Sequence, residues 1–353
     1  MQPSWMIYGA YGYSGELIAR EAAARGMSPI LAGRNEGKLR PLANELGLGF
    51  RVFDLADGKA ARRDLEDMTA VLNCAGPFSQ TARPMLNACL DSKTHYFDIT
   101  GEIEVFELAH DPATSTRARQ AGILVCPGVG FDVVPTDCLA AQLKKALPDA
   151  TRLTLAFQSR SKLSPGTAKT TVEGAAELCK VREAGRIQDT YARPGTVDFG
   201  EGERSTMTIA WGDVSTAYYT TGIGTIEVCI PASRKTFKRV RRMQRMRWVM
   251  ARPFVQNWMK RRIEQKVSGP SKEERADNPT SLWGRVSDEA GQQRTARFKT
   301  PNGYEVTIEA PLAIIEAVLA GKTTSLGSVT PSQLMGDEFV WQLPGVTPLE
   351  WVD

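Results

Sequence analysis

Histidines and cysteine motifs are scarce in this sequence. The chain of 353 residues has only two histidines, His95 and His110, and its six cysteines are scattered without a C-x-x-C pair. Such cysteines are typical of reduced, buried thiols, so we expect neither disulfides nor a metal site. The sequence also has no Tyr-x-x-x-Lys, which excludes the proton-relay pair of short-chain dehydrogenases.

The sequence also lacks a long apolar segment. No charge-free apolar run approaches the ~18 residues that a transmembrane helix needs. The first apolar strand begins too close to Met1 to leave room for a signal peptide. We therefore expect a cytoplasmic protein that touches, at most, the inner face of a membrane. A length of 353 residues favours two domains.

Three glycines, spaced by three, follow the first apolar segment. Trp5–Tyr8 has the pattern of a strand, Gly9, Gly12 and Gly15 come next, and residues 16–20 have helical character. In a dinucleotide site the first glycine permits a tight turn, the second admits a pyrophosphate, and the third lets the helix pack closely on the sheet. The spacing differs from G-x-G-x-x-G, so an ordinary glycine-rich turn is the alternative. The position between a strand and a helix favours nucleotide binding.

The second predicted strand ends in Gly33 and Arg34, and Lys38 follows one helical turn later. NAD sites usually have an acidic residue here, which binds the ribose 2′-hydroxyl. A guanidinium can instead hold a 2′-phosphate with two parallel hydrogen bonds. The sequence therefore predicts NADP(H), unless Arg34 and Lys38 are only solvated residues at the start of a helix.

Strands and helices continue to alternate after this unit. Strands are predicted near residues 50–54, 70–74, 94–98 and 122–126, with helical segments between them. The pattern predicts an α/β protein with a Rossmann-type doubly wound parallel sheet. Ligands bind at the carboxyl ends of such strands. The expected cofactor contacts are therefore Gly9, Tyr11, Gly12, Tyr13, Ser14, Gly15, Gly33, Arg34, Asn35, Lys38, Asp54, Cys74, Ala75, Gly76 and Pro77.

Five motifs of the first half occur in a specific order: GAYGYSG, LAGRN, NCAGPF, YFDITGE and PGVGFDVVPTD. The second half adds Ser164–Ala168, Trp211–Asp213, Gly269–Ser271 with Glu274–Arg275, Leu282–Gly284, Asn302–Tyr304 and Thr330–Pro331. Together they resemble the saccharopine dehydrogenase-like family, in particular the branch similar to trans-acting enoyl reductases. The resemblance implies a second α/β domain inserted into the nucleotide domain, and C-terminal helices that return to it.

The pattern of the second half agrees with an inserted domain. Strands are predicted at 153–158, 207–211 and 225–230, and an antiparallel pair at 293–299 and 303–309, joined by Pro301-Asn302-Gly303. Residues 313–319 and 331–339 have helical patterns. We therefore expect a nucleotide domain at 1–150, an inserted mixed-sheet domain for substrate binding or dimerisation at 151–310, and returning helices at 311–353.

Positive charge is concentrated in one segment. Residues 234–266 contain thirteen Lys or Arg and one acid, Glu264, whereas the whole chain has a net charge of only +4. Trp248 and Trp258 lie among the cations, and Pro253 is expected to divide the segment into two helices. This composition is typical of a helix that binds an anionic membrane or covers an acyl-chain entrance, for which an acyl-carrier protein is the other candidate partner. A core-packed helix with a solvated face is the alternative, and no nucleic-acid-binding fold accompanies the segment.

The candidates for proton transfer are carboxylates near strand ends: Asp98, Glu102, Asp132 and Asp137. Each of them is equally suited to cap a helix or to bind loop amides. The leading hypothesis is an NADP(H)-dependent oxidoreductase that reduces an activated, enoyl-type double bond of a lipid or acyl intermediate. Two alternatives remain: an oxidoreductase acting on the C–N bond of an amino acid, and a non-catalytic, nucleotide-binding protein at a membrane.

Overall fold

The computed structural model describes residues 4–159, 177–247, 274, 278–323 and 325–352. Its strands are β1 (Trp5–Tyr8), β2 (Ile30–Gly33), β3 (Phe50–Val52), β4 (Ala70–Asn73), β5 (His95–Asp98), β6 (Leu124–Cys126), β7 (Arg152–Gln158), β8 (Cys179–Glu183), β9 (Arg186–Thr190), β10 (Pro194–Asp198), β11 (Glu203–Ile209), β12 (Thr225–Pro231), β13 (Thr280–Ser287), β14 (Gln293–Thr300), β15 (Gly327–Ser328) and β16 (Glu350–Val352). Its helices are α1 (Tyr13–Ala24), α2 (Glu36–Leu46), α3 (Gly58–Leu65), α4 (Phe78–Ser92), α5 (Ile103–His110), α6 (Pro112–Ala121), α7 (Val134–Ala146), α8 (Asp213–Thr221), α9 (Arg234–Arg245), α10 (Gly303–Leu319) and α11 (Pro331–Met335), with a 3₁₀ turn at Phe339–Gln342.

The chain divides into two compact units. The first comprises Met1–Val134 and Tyr304–Leu343, and the second comprises Pro135–Gly303 and Pro344–Asp353. The first unit contains a seven-stranded sheet in the order β15-β6-β5-β4-β1-β2-β3, and every pairing in it is parallel. The predicted Rossmann-type parallel sheet is therefore confirmed.

A buried layer supports this sheet on one face. Met6, Val71, Tyr96 and Val125 come from four different strands and belong to one apolar cluster with side chains of α3 and α4. Their burial follows from the alternation of side chains along each strand. Because these strands are parallel, their carboxyl ends lie at one edge of the sheet.

The second unit contains a mixed sheet, as predicted for the inserted domain. Its strands follow the order β10-β11-β12-β7-β13-β14-β16, with β8 beside β12 and β9 beside β8. β12 and β7 are parallel, whereas β13 is antiparallel to both β7 and β14.

The predicted strand at 303–309 is wrong. This segment is the beginning of helix α10, and β14 pairs with β13 instead. Proline, asparagine and glycine at 301–303 are typical of a hairpin turn, but here they separate a strand from a helix. The helix is favoured because apolar side chains are buried along its whole length, from Val306 to Val318.

The compact units also differ from the predicted domain boundaries at three places. Residues 304–310, at the start of α10, belong to the first unit. All of α7 after Val134 belongs to the second unit, where its Leu139 and Leu143 pack against Gly284 of β13. Residues 344–353 do not continue the returning helices. They include β16, which pairs with β14 and is held by the Arg297–Glu350 ion pair.

Some predicted features lie outside the described residues. These are the motifs at 164–168 and 269–271, Arg275, and the part of the basic segment from Trp248 to residue 266. Within the described part of the chain, no helix combines the length and apolar character needed to cross a bilayer.

Candidate functional site

The glycine motif forms the turn between β1 and α1. Gly9 has a φ of +80°, and a Cβ atom there would lie 2.8 Å from the Ala75 nitrogen. A Cβ atom on Gly15 would lie 2.4 Å from the carbonyl oxygen of Gly9. The protein's own packing therefore requires glycine at both positions.

Gly12 differs from these two glycines. Its φ of −76° suits any residue, and a Cβ atom there would meet only the Gly9 carbonyl oxygen, at 3.2 Å, among the described atoms within 4 Å. Gly12 precedes the first turn of α1 and has no side chain to cap it. A helix N-terminus that is open in this way attracts a pyrophosphate through its backbone N–H groups and its dipole. The turn therefore fits a dinucleotide.

The residues that were predicted to contact a 2′-phosphate follow the end of β2. Arg34 and Lys38 are exposed, and the Lys38 ammonium lies 5.9 Å from the centroid of the Tyr11 ring. The same ring covers Gly33, because a Cβ atom on Gly33 would lie 2.6 Å from Tyr11 Cε1. Asn35 caps α2, where its Oδ1 accepts a hydrogen bond from the Lys38 N–H at 3.1 Å. Two exposed cations therefore follow β2 where an NAD site would have an acid.

Asp54 and Cys74, two further expected cofactor contacts, follow β3 and β4. Asp54 is exposed, and its Oδ1 accepts the Ala56 N–H at 2.9 Å. Burial and the Asp54 carboxylate together raise the pKa of Tyr8 to about 12. Burial also raises the pKa of the Cys74 thiol, so this cysteine is not a nucleophile at neutral pH.

Asn73 organises the loop after β4. Its Oδ1 accepts a hydrogen bond from the Ala75 N–H at 3.1 Å, and its amide donates to the Thr81 hydroxyl at 3.3 Å. Thr81 in turn donates to the Ala75 carbonyl oxygen at 2.5 Å. Gly76 and Pro77 follow these hydrogen-bonded residues and are exposed at the carboxyl edge of the sheet.

Glu102 binds the N-terminus of a neighbouring helix. Its Oε1 accepts the Phe78 N–H at 2.8 Å and its Oε2 accepts the Ser79 N–H at 2.7 Å. These amides belong to the first turn of α4, where a carboxylate also interacts favourably with the helix dipole. The carboxylate of Glu102 is therefore engaged in capping α4.

Asp98 joins the loops that follow β5 and β6. It is fully buried, and its Oδ1 accepts the N–H groups of Thr100 at 3.1 Å and Gly128 at 2.8 Å. Its Oδ2 accepts the Tyr96 hydroxyl at 2.5 Å. Burial raises the pKa of Asp98 to about 6, although these three hydrogen bonds lower it.

Asp132 lies in the loop after β6, beside the loop after β5. A Cβ atom on Gly101 would lie 2.6 Å from Asp132 Oδ2, so the two loops are in contact. The backbone N–H of the preceding residue, Phe131, donates to the Thr307 hydroxyl at 3.1 Å. Burial raises the pKa of Asp132 to about 6, while its surface remains partly exposed. This carboxyl group can therefore hold a proton near neutral pH and still be reached from outside.

Asp137 belongs to the second unit. It is fully buried in α7 and accepts a hydrogen bond from the Thr220 hydroxyl of α8. The first unit thus brings together three of the four predicted carboxylates, Asp98, Glu102 and Asp132, at the ends of β5 and β6.

Sequence reasoning missed two side chains of α10 at this edge. Tyr304 packs against Tyr13, with ring centroids 5.0 Å apart and planes at 77°, and Thr307 binds the loop that carries Asp132. Both lie in the segment that was predicted to be a strand at 303–309, so they were not expected at this edge. The long apolar run up to Leu319 was the signal that could have indicated a helix.

Comparisons with known proteins agree with this geometry. Residues 5–126 match the family model of the saccharopine dehydrogenase NADP binding domain. A probable mitochondrial saccharopine dehydrogenase-like oxidoreductase of Arabidopsis thaliana is 31% identical over 216 residues, which are 54% of this chain and 46% of that protein. The trans-acting enoyl reductase of Mycobacterium tuberculosis is 35% identical over 158 residues, which are 41% of this chain and 37% of that protein. The chain therefore spans less than half the length of these curated relatives.

The similarity in fold extends further than the similarity in sequence. Apo saccharopine dehydrogenase from Saccharomyces cerevisiae superposes with a TM-score of 0.63 and 12% identity, covering 99% of this chain and 100% of that one. At this identity, the likeness shows the fold alone. The family resemblance inferred from the motifs is confirmed, and so is the predicted NADP(H) cofactor.

Gly12→Val is expected to abolish NADPH binding and to leave the unfolding transition cooperative, because the new side chain would occupy the open side of the cradle. Calorimetric titration with NADPH and thermal unfolding measure the two effects. Gly58→Val is the matched control, since Gly58 opens α3 and no described atom lies within 4 Å of a Cβ there. Wild-type NADPH affinity in Gly12→Val would contradict the prediction that this turn binds the pyrophosphate.

Arg34→Ala is expected to weaken the binding of NADPH far more than that of NADH. One charge-assisted contact to the 2′-phosphate contributes ~1.5–3 kcal/mol, and NADH has no such phosphate. Dissociation constants for both cofactors, with Arg40→Ala of α2 as the control, measure the difference. Equal losses for the two cofactors would show that Arg34 does not read the phosphate.

Proposed function

We propose that this chain is an NADP(H)-dependent oxidoreductase that reduces the activated, enoyl-type double bond of an acyl or lipid intermediate, because residues 5–126 match the saccharopine dehydrogenase NADP binding domain. The observation that carries the proposal is Asp132. Its carboxyl group combines partial exposure with a pKa raised to about 6, at the sheet edge where a dinucleotide binds. Such a group suits a general acid working near neutral pH.

Different residues of the first unit would bind the cofactor and transfer the proton. The amides after Gly12 would hold the pyrophosphate, and Arg34 with Lys38 would hold the 2′-phosphate. When bound there, NADPH would supply the hydride for the β-carbon of the double bond. Asp132 donates a proton to the α-carbon, so that one C–C π bond is replaced by two C–H bonds. Asp98 keeps the loops after β5 and β6 in place through its three hydrogen bonds.

The charges at this edge favour a neutral reacting group. The side chains gathered at the ends of β5 and β6 are the carboxylates of Asp98, Glu102 and Asp132, whereas the exposed cations Arg34 and Lys38 lie after β2. An amino-acid substrate would bring its own carboxylate close to these carboxyl groups, which is unfavourable whenever they are ionised. The name of the mycobacterial relative, a trans-acting enoyl reductase, agrees with the same reaction class.

The proposal includes a docking partner for the substrate. Acyl chains are presented in cells by membranes or by carrier proteins, and the basic segment 234–266 is the candidate contact with either of them, at the inner face of a membrane in the first case. Homodimer formation through the second unit stays a prediction.

The proposed reaction can be tested with a substrate panel. The protein with NADPH is expected to oxidise the cofactor in the presence of enoyl thioesters, and to do so more slowly with ketones or with the imines formed from amino acids. Absorbance of the reduced nicotinamide follows each reaction. Turnover of the imines alone would instead support C–N chemistry, and tight NADPH binding without any turnover would support a non-catalytic role.

Asp132→Asn is expected to lower kcat by about 10²–10⁴-fold while NADPH binding is unchanged, because the amide cannot donate a proton as an acid. The wild-type rate should be level below pH 6 and fall above it, since the group acts in its protonated form and its pKa is about 6. That fall should be absent from the residual rate of the variant. Glu104→Gln, an exposed acid of α5, is the control. A variant with the wild-type pH profile would exclude Asp132 as the proton donor.

A further inference from the structure

Helix α9 presents a continuous basic surface, which we call the basic face. Its exposed members are Arg234, Lys235, Lys238, Arg239, Arg242, Arg245 and, just after the helix, Arg247. No acidic residue occurs between residues 234 and 247. Among the described residues, none of these cations forms an ion pair.

The opposite side of α9 fixes how the helix is turned. Gln244 is buried, its Oε1 accepts the Ala192 N–H at 3.1 Å, and its amide donates to the Cys179 sulfur at 3.4 Å. Arg241 donates to the Ala192 carbonyl oxygen at 3.0 Å, and its guanidinium lies 5.1 Å from the Tyr191 ring centroid. Since the helix is anchored along this side, the basic face is turned toward solvent by the fold itself.

The basic face is unfavourable for the helix alone. Arg234 and Lys235 occupy the first turn, where the helix dipole disfavours cations, whereas the dipole favours Arg242 and Arg245 in the last turn. Lys238 and Arg242, like Lys235 and Arg239, are four residues apart, so that like charges are adjacent on the surface. A bound anionic surface would relieve both repulsions. The arrangement is therefore explained better by a partner than by the stability of α9.

We propose that the basic face docks on the phosphate groups of an anionic lipid membrane. Arginine predominates in it, and the planar guanidinium binds phosphate with two hydrogen bonds. A protein partner fits less well, because the cores of protein interfaces are apolar and depleted of charge. Met246 is the exposed large apolar side chain beside the described cations. A membrane surface, in contrast, needs only a cluster of cations within a Debye length.

This inference deepens the proposed function, on which its metabolic meaning rests, because it names the surface from which a lipid substrate would be taken. The two can still fail separately. Docking is measured with neither cofactor nor substrate, whereas the proposed reaction is measured on soluble thioesters without vesicles.

The test is co-sedimentation of the full chain with vesicles. Binding is expected to vesicles of equal parts phosphatidylcholine and phosphatidylglycerol, to weaken as salt is raised, and to be absent with phosphatidylcholine alone. The combined variant Lys238→Gln, Arg239→Gln, Arg242→Gln and Arg245→Gln should bind more weakly, by roughly five-fold for each charge removed. The circular dichroism spectrum and the thermal unfolding transition should be unchanged, which would show that the variant is folded.

The control variant removes the same number of charges elsewhere. Lys59→Gln, Arg62→Gln, Arg63→Gln and Arg83→Gln change exposed cations of α3 and α4, and should leave vesicle binding nearly unchanged. Equal losses in both variants would overturn the proposal, since they would reflect net charge alone. Retention of binding in the α9 variant would overturn it as well. Binding of an RNA oligonucleotide or an acidic carrier protein, without binding to vesicles, would assign the face to that partner instead.

Discussion

The geometry of the first unit depends on one buried carboxylate. Asp98 has no exposed surface, so its desolvation must be offset by hydrogen bonds. The donors are the Tyr96 hydroxyl on its own strand and backbone amides of Thr100 and Gly128 in two different loops. These bonds hold the loops after β5 and β6 together, and thereby place Asp132 beside Gly101. The partly exposed candidate acid is positioned by a fully buried one.

The positions of the strands along the chain could be predicted from the sequence, because apolar segments and glycine turns are local signals. The parallel sheet was correctly predicted from the alternation of strands and helices, and the NADP(H) cofactor from the glycine turn and the Gly33-Arg34 pair. The helix at Gly303–Leu319 was not, since Pro301-Asn302-Gly303 marks a hairpin turn and a helix start equally well. The helix is favoured because its apolar side chains are buried in the folded protein, which a short sequence motif does not show.

The roles of the carboxylates could not be read from the sequence for a different reason. Glu102 binds amides 24 and 23 residues earlier in the chain, and Asp137 accepts a bond from Thr220, 83 residues away. Such pairings depend on how elements pack, which no short motif encodes. The same holds for Asp98 and Asp132, whose pKa values are raised by burial. The strand ends indicated where acids gather, but the fold decides which of them keeps part of its surface exposed to solvent.

The contact between Tyr11 and Gly33 has a consequence for how cofactor preference can change in evolution. An aspartate or glutamate at position 33, as an NAD enzyme would have, needs a Cβ atom where the Tyr11 ring now lies. A substitution toward NAD at this position must therefore displace or replace the aromatic ring, which is also the neighbour of the Lys38 ammonium. Such an intermediate would have disturbed one site before gaining the other. Because the preference for NADP(H) depends on packing as well as on charge, a single mutation is not expected to reverse it.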